Sequence, residues 1–377
     1  MSIPLHSRKD VTLIDSCFLF AEKGAGMKRV NKRTEIGIDT IEVNITGIKT
    51  AIEETELKHT RTGENIGTIK KRNGREQGYV ISICLPKIIR ADNIKPFGVL
   101  DSIKLSEVIW QVQTQLSMLF NTDFKNALKN VYVKGCEVNA TATLKRPENI
   151  DAIMNLLSLM FLQAEEKVYL TAHGVKDTRY KDVPMSKNIL RQVQQVESLK
   201  TKRSTNERVS WKLYNKSLEQ AEKAKSKKAK STEQAEEGIL RLEERINEKG
   251  LAFIGLPLRL DKFLISQNIN RLVEQYQRDF RELFLNQYWK KGDEDFTDTL
   301  VNTIVFDLQD NTPLVTAKIH RNLLYIDITL FKKACLEFYD NRKIALQAVR
   351  RVKQSGTVMY HEGAVSELVE IFRAIVY

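Results

Sequence analysis

The stretch Ile239-Leu-Arg-Leu-Glu-Glu-Arg-Ile246 places two kinds of chemistry on alternate positions. Side chains along a strand point to opposite faces in turn. Leu240, Leu242 and Ile246 therefore make an apolar set, and Arg241, Glu243 and Arg245 a charged one. Arg208-Val-Ser-Trp-Lys-Leu-Tyr-Asn-Lys216 sorts the same way, with Val209, Trp211 and Leu213 against Arg208, Ser210, Lys212, Tyr214 and Lys216. In Glu137-Val-Asn-Ala-Thr-Ala-Thr-Leu144 the apolar set is Val138, Ala140, Ala142 and Leu144, and the polar set is Glu137, Asn139, Thr141 and Thr143. Three such strands predict a sheet with one face on a core.

The surrounding sequence extends that sheet and adds helices. Val11–Phe20 and Thr34–Thr46 are rich in β-branched and apolar residues, and in the second Ile41, Val43 and Ile45 alternate with Thr40, Glu42 and Asn44. Thr68–Cys84 reads as a hairpin turning at Asn73-Gly74, with Pro86 as its stop. Further strands are expected over Tyr132–Leu144, Glu207–Glu219 and Gly238–Asn247. Leu105, Val108, Ile109, Val112 and Leu116 give Lys104–Phe120 helical spacing, and Ile150–Gln163 is similar. From Leu260 onward the pattern is mostly helical, with turns at Gly292-Asp293, Asn311-Thr-Pro313 and Ser355-Gly356. The fold class is α+β: an antiparallel-rich sheet with flanking helices over residues 1–255, then a mainly helical region over 256–377. The turn Gly255-Leu-Pro257 marks the division.

Composition limits what this fold can serve. The 377 residues are 42% hydrophobic and 29% charged, so wholesale disorder is excluded. No apolar run reaches the roughly 18–20 residues of a membrane span, and the best, Ile153–Leu162, carries Asn155 and Ser158. The N-terminus has no apolar signal core, and Cys17, Cys84, Cys136 and Cys335 form no CxxC pair, which fits a reducing cytoplasm. Lys and Arg number 60 against 48 Asp and Glu, for a formal charge of +12. Residues 181–230 alone hold 14 cations against five anions. A basic segment implies a polyanion partner, nucleic acid or acidic lipid. Its Lys-rich part, Lys223–Lys230, is either a solvated loop or a phosphate-contacting element that folds on nucleic acid.

Each polar strand face taken alone fits an ordinary solvated sheet. If the three are coplanar, one surface gathers Tyr214, Glu137, Glu243, Asn139 and the cations Arg208, Lys212, Arg241 and Arg245. That combination suits phosphodiester chemistry. A tyrosine hydroxyl attacks phosphorus when a nearby cation favours the phenolate. Carboxylates on adjacent strands hold Mg²⁺, and Arg and Lys neutralise the transferring phosphate. Of the five histidines no two lie within three residues of each other, so a His-hydrophobic-His metal site is absent. Carboxylate ligation of Mg²⁺ or Mn²⁺ follows, with Glu243 first and Glu137 second.

These segments resemble the gene II replication initiators of filamentous phages and related plasmids. Gly238-Ile-Leu-Arg-Leu-Glu-Glu-Arg-Ile and Gly255-Leu-Pro-Leu-Arg-Leu look like the family's Gly-(apolar)-(apolar)-Arg-(apolar)-Glu-x-Arg-Ile strand and following turn. Tyr214 and Lys216 match its Tyr-x-Lys, and Val138-Asn-Ala-Thr matches its Ile-Asp-Ala-Thr. Pro86-Lys87, Asn93 and Phe97-Gly98 are similar to its Pro-x-Lys…Asn-x-Phe-Gly stretch, with altered spacing, and Leu13-Ile-Asp15 to its first strand. The resemblance runs from about residue 11 to 265. It implies rolling-circle initiation: binding of a replication origin, nicking of one strand through a 5′-phosphotyrosine at Tyr214, and later rejoining of the displaced strand. Residues 1–255 would then be the catalytic and origin-binding part. Glu243 and Lys216 would serve catalysis, and Arg208, Lys212, Arg241, Arg245, Lys87, Lys202 and Arg203 would contact DNA. Asn139 stands where the family has Asp, so a metal ligand at this position would be neutral, with Glu137 to compensate.

No GxxxxGK[ST] loop is present, so strand separation would fall to a host helicase, beside a polymerase and a single-strand-binding protein. His173 and Tyr180, the latter flanked by Arg179 and Lys181, are rival site residues, whereas Cys136 reads as packing. Arg342–Lys353 is an amphipathic basic helix, either a docked surface helix or one that contacts duplex DNA. Two alternatives to a nickase stay open: a non-catalytic DNA-binding replication or repressor protein, and a plasmid mobilisation relaxase.

Overall fold

β1, Thr34–Thr46, has the bounds its sequence predicts, and the rest of the sheet builds outward from it. The structure, a computed structural model, describes residues 34–46, 54–72, 78–90, 93–121, 131–154, 157, 168–172, 196–201, 208–226, 237–285, 293–319, 328–355 and 363–376. The expected strand Val11–Phe20, the segment Leu13–Asp15, His173, Tyr180, Lys202 and Arg203 lie outside the described residues.

Among the described residues eight further strands join β1: β2 (Thr55–Lys58), β3 (Asn65–Lys71), β4 (Gly78–Cys84), β5 (Val131–Thr143), β6 (Val168–Ala172), β7 (Val196–Thr201), β8 (Val209–Asn215) and β9 (Ile239–Asn247). They form one sheet in the order β2-β3-β4-β1-β5-β9-β8-β7-β6, with every pairing antiparallel. The fold is α+β, with helices flanking the sheet and a helical C-terminal region. The hairpin expected over Thr68–Cys84 is β3–β4, its turn Asn73-Gly74 lying outside the described residues, and β4 gives way at Leu85, one residue before Pro86, to helix α1 (Leu85–Arg90). Helix α2 (Leu105–Phe120) buries Leu105, Val108, Val112 and Leu116, as its spacing requires. Residues 150–154 and 157 are helical within the expected Ile150–Gln163.

The strand expected over Glu207–Glu219 is shorter than its pattern suggests. β8 ends at Asn215, and helix α3 (Lys216–Ser226) begins at the next residue. Asn215 Oδ1 accepts a hydrogen bond from the Leu218 backbone N–H at 3.1 Å, an N-terminal cap that converts strand into helix. Lys216 is thus the first residue of a helix, not the last outward residue of a strand.

Short helices α4 (Glu248–Phe253) and α5 (Leu260–Phe263) follow β9, separated by Gly255 in the left-handed region at φ 73°. Beyond that turn the chain returns to the sheet, where the Leu258 carbonyl accepts from Val133 N–H at 2.7 Å. Helix α6 (Ser266–Phe280) then lies across the apolar face of β1 and β5. Ile269, Leu272, Tyr276 and Phe280 recur at helical spacing and are all buried. The Tyr276 ring meets Trp211 at 5.4 Å between centroids, and its hydroxyl donates to the Leu242 carbonyl at 2.9 Å. Helices α7 (Asp293–Asp310), α8 (Pro313–Ile319), α9 (Ile328–Phe338) and α10 (Arg342–Gln354) pack on one another. Helix α11 (Ala364–Val376) packs on β1 and α6, with Phe372 edge-on to Phe280 at 5.2 Å. Among the described residues no helix is long and apolar enough to cross a membrane.

One residue on the apolar face breaks its pattern. Glu244 lies opposite Trp211, is fully buried, and has no donor to either carboxylate oxygen. The group it meets is a second carboxyl, Asp279 of α6. Two carboxyl groups bond only by sharing a proton, so burial first and Asp279 second raise the Glu244 carboxyl well above its usual range. The folded chain keeps a proton that the unfolded chain releases above about pH 4.3, so the stability due to this group falls as pH rises. Glu244→Gln provides a permanent donor at the same volume. Its thermal midpoint is expected to exceed the wild type at pH 8 by about 1–2 °C, the shift from ~1 kcal/mol in a chain of 377 residues, and by less at pH 5. An equal difference at both pH values would rule out the shared proton.

Candidate active site

The polar faces of β5, β9 and β8 are coplanar. Cross-strand pairing sets three rows: Thr141, Arg241 and Tyr214; Asn139, Glu243 and Lys212; Glu137, Arg245 and Ser210. Residues directly opposite on adjacent strands have Cβ atoms about 4.5–5.5 Å apart, so each row is in mutual reach. This surface is not the solvated face of an ordinary sheet. Asn139, Thr141, Tyr214, Arg241 and Glu243 are all buried.

β1 supplies a member that the three strands lack. Its register against β5 slips between Ile38 and Thr40, leaving Asp39 as the extra residue of a β-bulge. The core residues Ile38 and Ile41 are three apart instead of two, so the bulge turns Asp39 toward the polar rows. Ligand oxygens of Asp39, Glu137 and Glu243 lie within 4.8 Å of one another.

Arg241 ties this cluster to its surroundings. Its guanidinium is 0% exposed, with Nη1 donating to Asp39 Oδ2 at 3.3 Å, Nε to Thr141 Oγ1 at 3.2 Å, and Nη2 to the carbonyls of Ile94 at 2.7 Å and Asn93. The segment carrying those carbonyls is pinned to β1 by Ile38 N–H to Phe97 O at 3.0 Å and Phe97 N–H to Ile38 O at 2.8 Å. Gly37 permits that approach, because a Cβ there would stand 2.3 Å from the Phe97 oxygen. Asn93 and Phe97-Gly98, singled out in the sequence, thus close one side of the site. Arg245 is held between Glu137, at 3.4 Å, and Glu42.

Tyr214 is 5% exposed, and its hydroxyl donates to Glu243 Oε2 at 3.2 Å. Lys212 Nζ stands 4.1 Å from the ring centroid and Lys216 Nζ 5.7 Å. Burial first and the Glu243 charge second raise the phenol well above its usual range, against the opposing Arg241 charge. Burial likewise raises Glu243, with Asp39 adding and Lys212 and Arg241 opposing. Glu137 is pushed up to about 7 by burial and then by Glu243. Lys216 is 1% exposed, bonds Glu219 at 2.6 Å, and is lowered by burial and Arg241.

Three carboxyl groups crowded out of water, two of them raised, form a set short of positive charge. All of its donors are oxygens, which suits a hard divalent cation such as Mg²⁺ or Mn²⁺. Glu243 and Glu137 belong to the set, as expected. Asn139 stands in the same row as Glu243, with its Oδ1 accepting from Thr141 Oγ1 at 3.0 Å and its buried Nδ2 without a partner among the described residues. Asp39 is the third carboxylate of the set, and the signal for it was the broken alternation between Ile38 and Ile41. The expected DNA-contacting cations separate into two groups. Lys212 lies half-buried beside the Tyr214 ring, and Lys87 lies half-buried beside Cys84, whose thiol donates to Asp39 Oδ1 at 3.8 Å. Arg241 is an interior clamp, and Arg208 stacks on Phe253 at 3.8 Å, roughly 20 Å along β8 from Tyr214. Cys136 is buried with its thiol raised by burial, in keeping with a packing role.

No protein-family model and no curated protein matches this sequence. Among solved structures, a rolling circle replication initiator protein from Geobacillus stearothermophilus aligns at 9% identity and a TM-score of 0.30, over 66% of this chain and 85% of that one. A likeness of that degree carries no argument about the site, which stands on its own geometry.

Ligation requires Glu137 to release its proton. Mn²⁺ affinity of the full chain, read by electron paramagnetic resonance, should therefore fall by up to about tenfold per pH unit below 7. Asp39→Asn should weaken Mn²⁺ binding on the order of tenfold or more, whereas Asn139→Ala should leave it nearly unchanged. The reverse ranking would make Asn139, not Asp39, the third ligand.

Proposed function

We propose that this chain is a rolling-circle replication initiator that nicks one DNA strand through Tyr214 and later rejoins it. The observation that carries the reading is the hydrogen bond from the Tyr214 hydroxyl to Glu243, a carboxylate shared with the cluster of Asp39 and Glu137. A nucleophile, a proton acceptor and a set of hard oxygen ligands meet at one point, with Lys212 and Lys216 over the same ring.

In the proposed step Glu243 accepts the phenolic proton, and the Tyr214 oxygen bonds to phosphorus as the bond from phosphorus to the 3′-oxygen breaks, the leaving oxygen taking a proton from water. The released 3′-hydroxyl primes synthesis, and the tyrosyl ester keeps the phosphodiester energy for the reverse transfer, so no nucleotide cofactor enters. Lys212 and Lys216 stabilise the phenolate form, and Lys212 and Lys87 face the entering phosphate. Arg241 and Arg245 hold the carboxylates in place. A divalent cation held by Asp39, Glu137 and Glu243 would neutralise charge on the phosphoryl oxygens and favour the phenolate. DNA is the partner in both duplex and single-stranded form, and helicase, polymerase and single-strand-binding protein would come from the host, in the bacterial cytoplasm.

The burial of Tyr214 favours a second reading, in which the same scaffold binds DNA without cutting it. Supercoiled plasmid carrying the origin of the replicon that encodes the chain separates the two. With Mg²⁺ the wild type should convert it to open circles, Tyr214→Phe should fall by at least about 10³-fold, and Glu243→Gln should lose cleavage while retaining binding. Equal nicking by Tyr214→Phe would remove the tyrosine from the chemistry.

A further inference from the structure

Helices α9 and α10 are joined by three residues, Tyr339-Asp340-Asn341, the spacing of a helix-turn-helix unit. Asn341 caps the second helix, its Oδ1 accepting from Lys343 N–H at 2.9 Å. Ala345, Ala348, Val349 and Val352 bury one side of α10 against α9 and α8. The opposite side carries Lys343, Gln347, Arg350 and Gln354 at successive intervals of four, three and four residues, all exposed. Those intervals set the four in one straight stripe along the helix. Arg342 and Arg351 are exposed on either side of it.

The helix has no acidic residue, and among the described residues no ion pair engages Arg342, Lys343, Arg350 or Arg351. Cations in the last turn favour a helix, but Arg342 and Lys343 stand in the first turn, against the macrodipole. Helix stability therefore does not account for them. Lys, Arg and Gln are also the side chains that pair with base edges, Arg and Lys with guanine and Gln with adenine. From Lys343 to Gln354 the stripe spans about 16 Å, close to five base-pair steps at ~3.4 Å each.

We propose that α10 is a recognition helix that docks in the major groove of duplex DNA, with Lys343, Gln347, Arg350 and Gln354 toward base edges and Arg342 and Arg351 on the flanking phosphates. The unit would deliver sequence selection on duplex DNA, separately from the strand chemistry at Tyr214. This rests on the DNA-handling reading above, and its test is arranged so that the two fail separately.

The full chain is used to select from a fluorescein-labelled pool of random 30-bp duplexes, and binding of the selected duplex is followed by anisotropy across a salt series. Wild type should enrich one motif. Gln347→Ala with Arg350→Ala should lose at least about tenfold preference for it while keeping weak general binding. Arg342→Gln with Arg351→Gln should keep the motif but lower the slope of log affinity against log salt by about two. Circular dichroism and covalent adduct formation at Tyr214 with a single-stranded oligonucleotide should match wild type in both variants. Unchanged motif and salt slope in both variants would overturn the proposal, as would tighter binding of the full chain to phosphatidylglycerol vesicles than to duplex with that binding lost in both variants. Loss of the motif in the first variant supports it even if no adduct forms in any protein.

Discussion

Like charge in a dry space is the constraint from which the sheet's polar side follows. Two ionised carboxylates about 5 Å apart repel by about 3 kcal/mol even at an effective dielectric of ~20. Asp39, Glu137 and Glu243 form three such pairs, a sum comparable to the ~5–15 kcal/mol that holds a whole domain folded. Every neighbouring arrangement offsets that repulsion. Arg241 is buried against Asp39, Arg245 spans Glu137 and Glu42, Lys212 faces Glu243, and the remaining deficit appears as raised carboxyl groups. A fold needing only stability would have no reason to assemble this set, so the cluster points to a ligand that prefers it.

The two sides of the same strands use the interior differently. On one side Trp211, Leu242 and Ile246 meet Tyr276 and Phe280, and the packing is aromatic and dense. On the other, Tyr214, Arg241 and Glu243 meet the carbonyls of Asn93 and Ile94 and the side chain of Asp39. β9 serves both, which explains its pattern of alternate charge. Glu244 sits on the aromatic side, one residue from Glu243; burial raises both carboxyl groups, but Lys212 and Arg241 oppose the rise only at Glu243.

Much of this was legible in sequence. Alternation placed β1, β5 and β9 within a residue or two, because a strand buried on one face cannot slip register without inverting every side chain. The same reading brought Tyr214, Glu243 and Glu137 to one surface. It failed where one residue changes the phase. The bulge at Asp39 hides a ligand from a strict two-residue period, and the cap at Asn215 ends a strand whose pattern continues into α3. Arg241 was misplaced for a different reason: alternation says which face a residue takes, not whether another segment covers that face. The edge strands β2 and β6 and the neighbouring β7 were not anticipated, since runs of only four to six residues give a weak periodic signal.

Everything said of the site converges on one atom, the Tyr214 hydroxyl oxygen. Digestion of the full chain after incubation with single-stranded DNA and Mg²⁺, followed by mass spectrometry of nucleotide-linked peptides, reads that atom directly. A 5′-phosphonucleotide on the peptide containing Tyr214 is the expected result. A linkage on Tyr180 or another residue, with Tyr214 unmodified, would contradict the account.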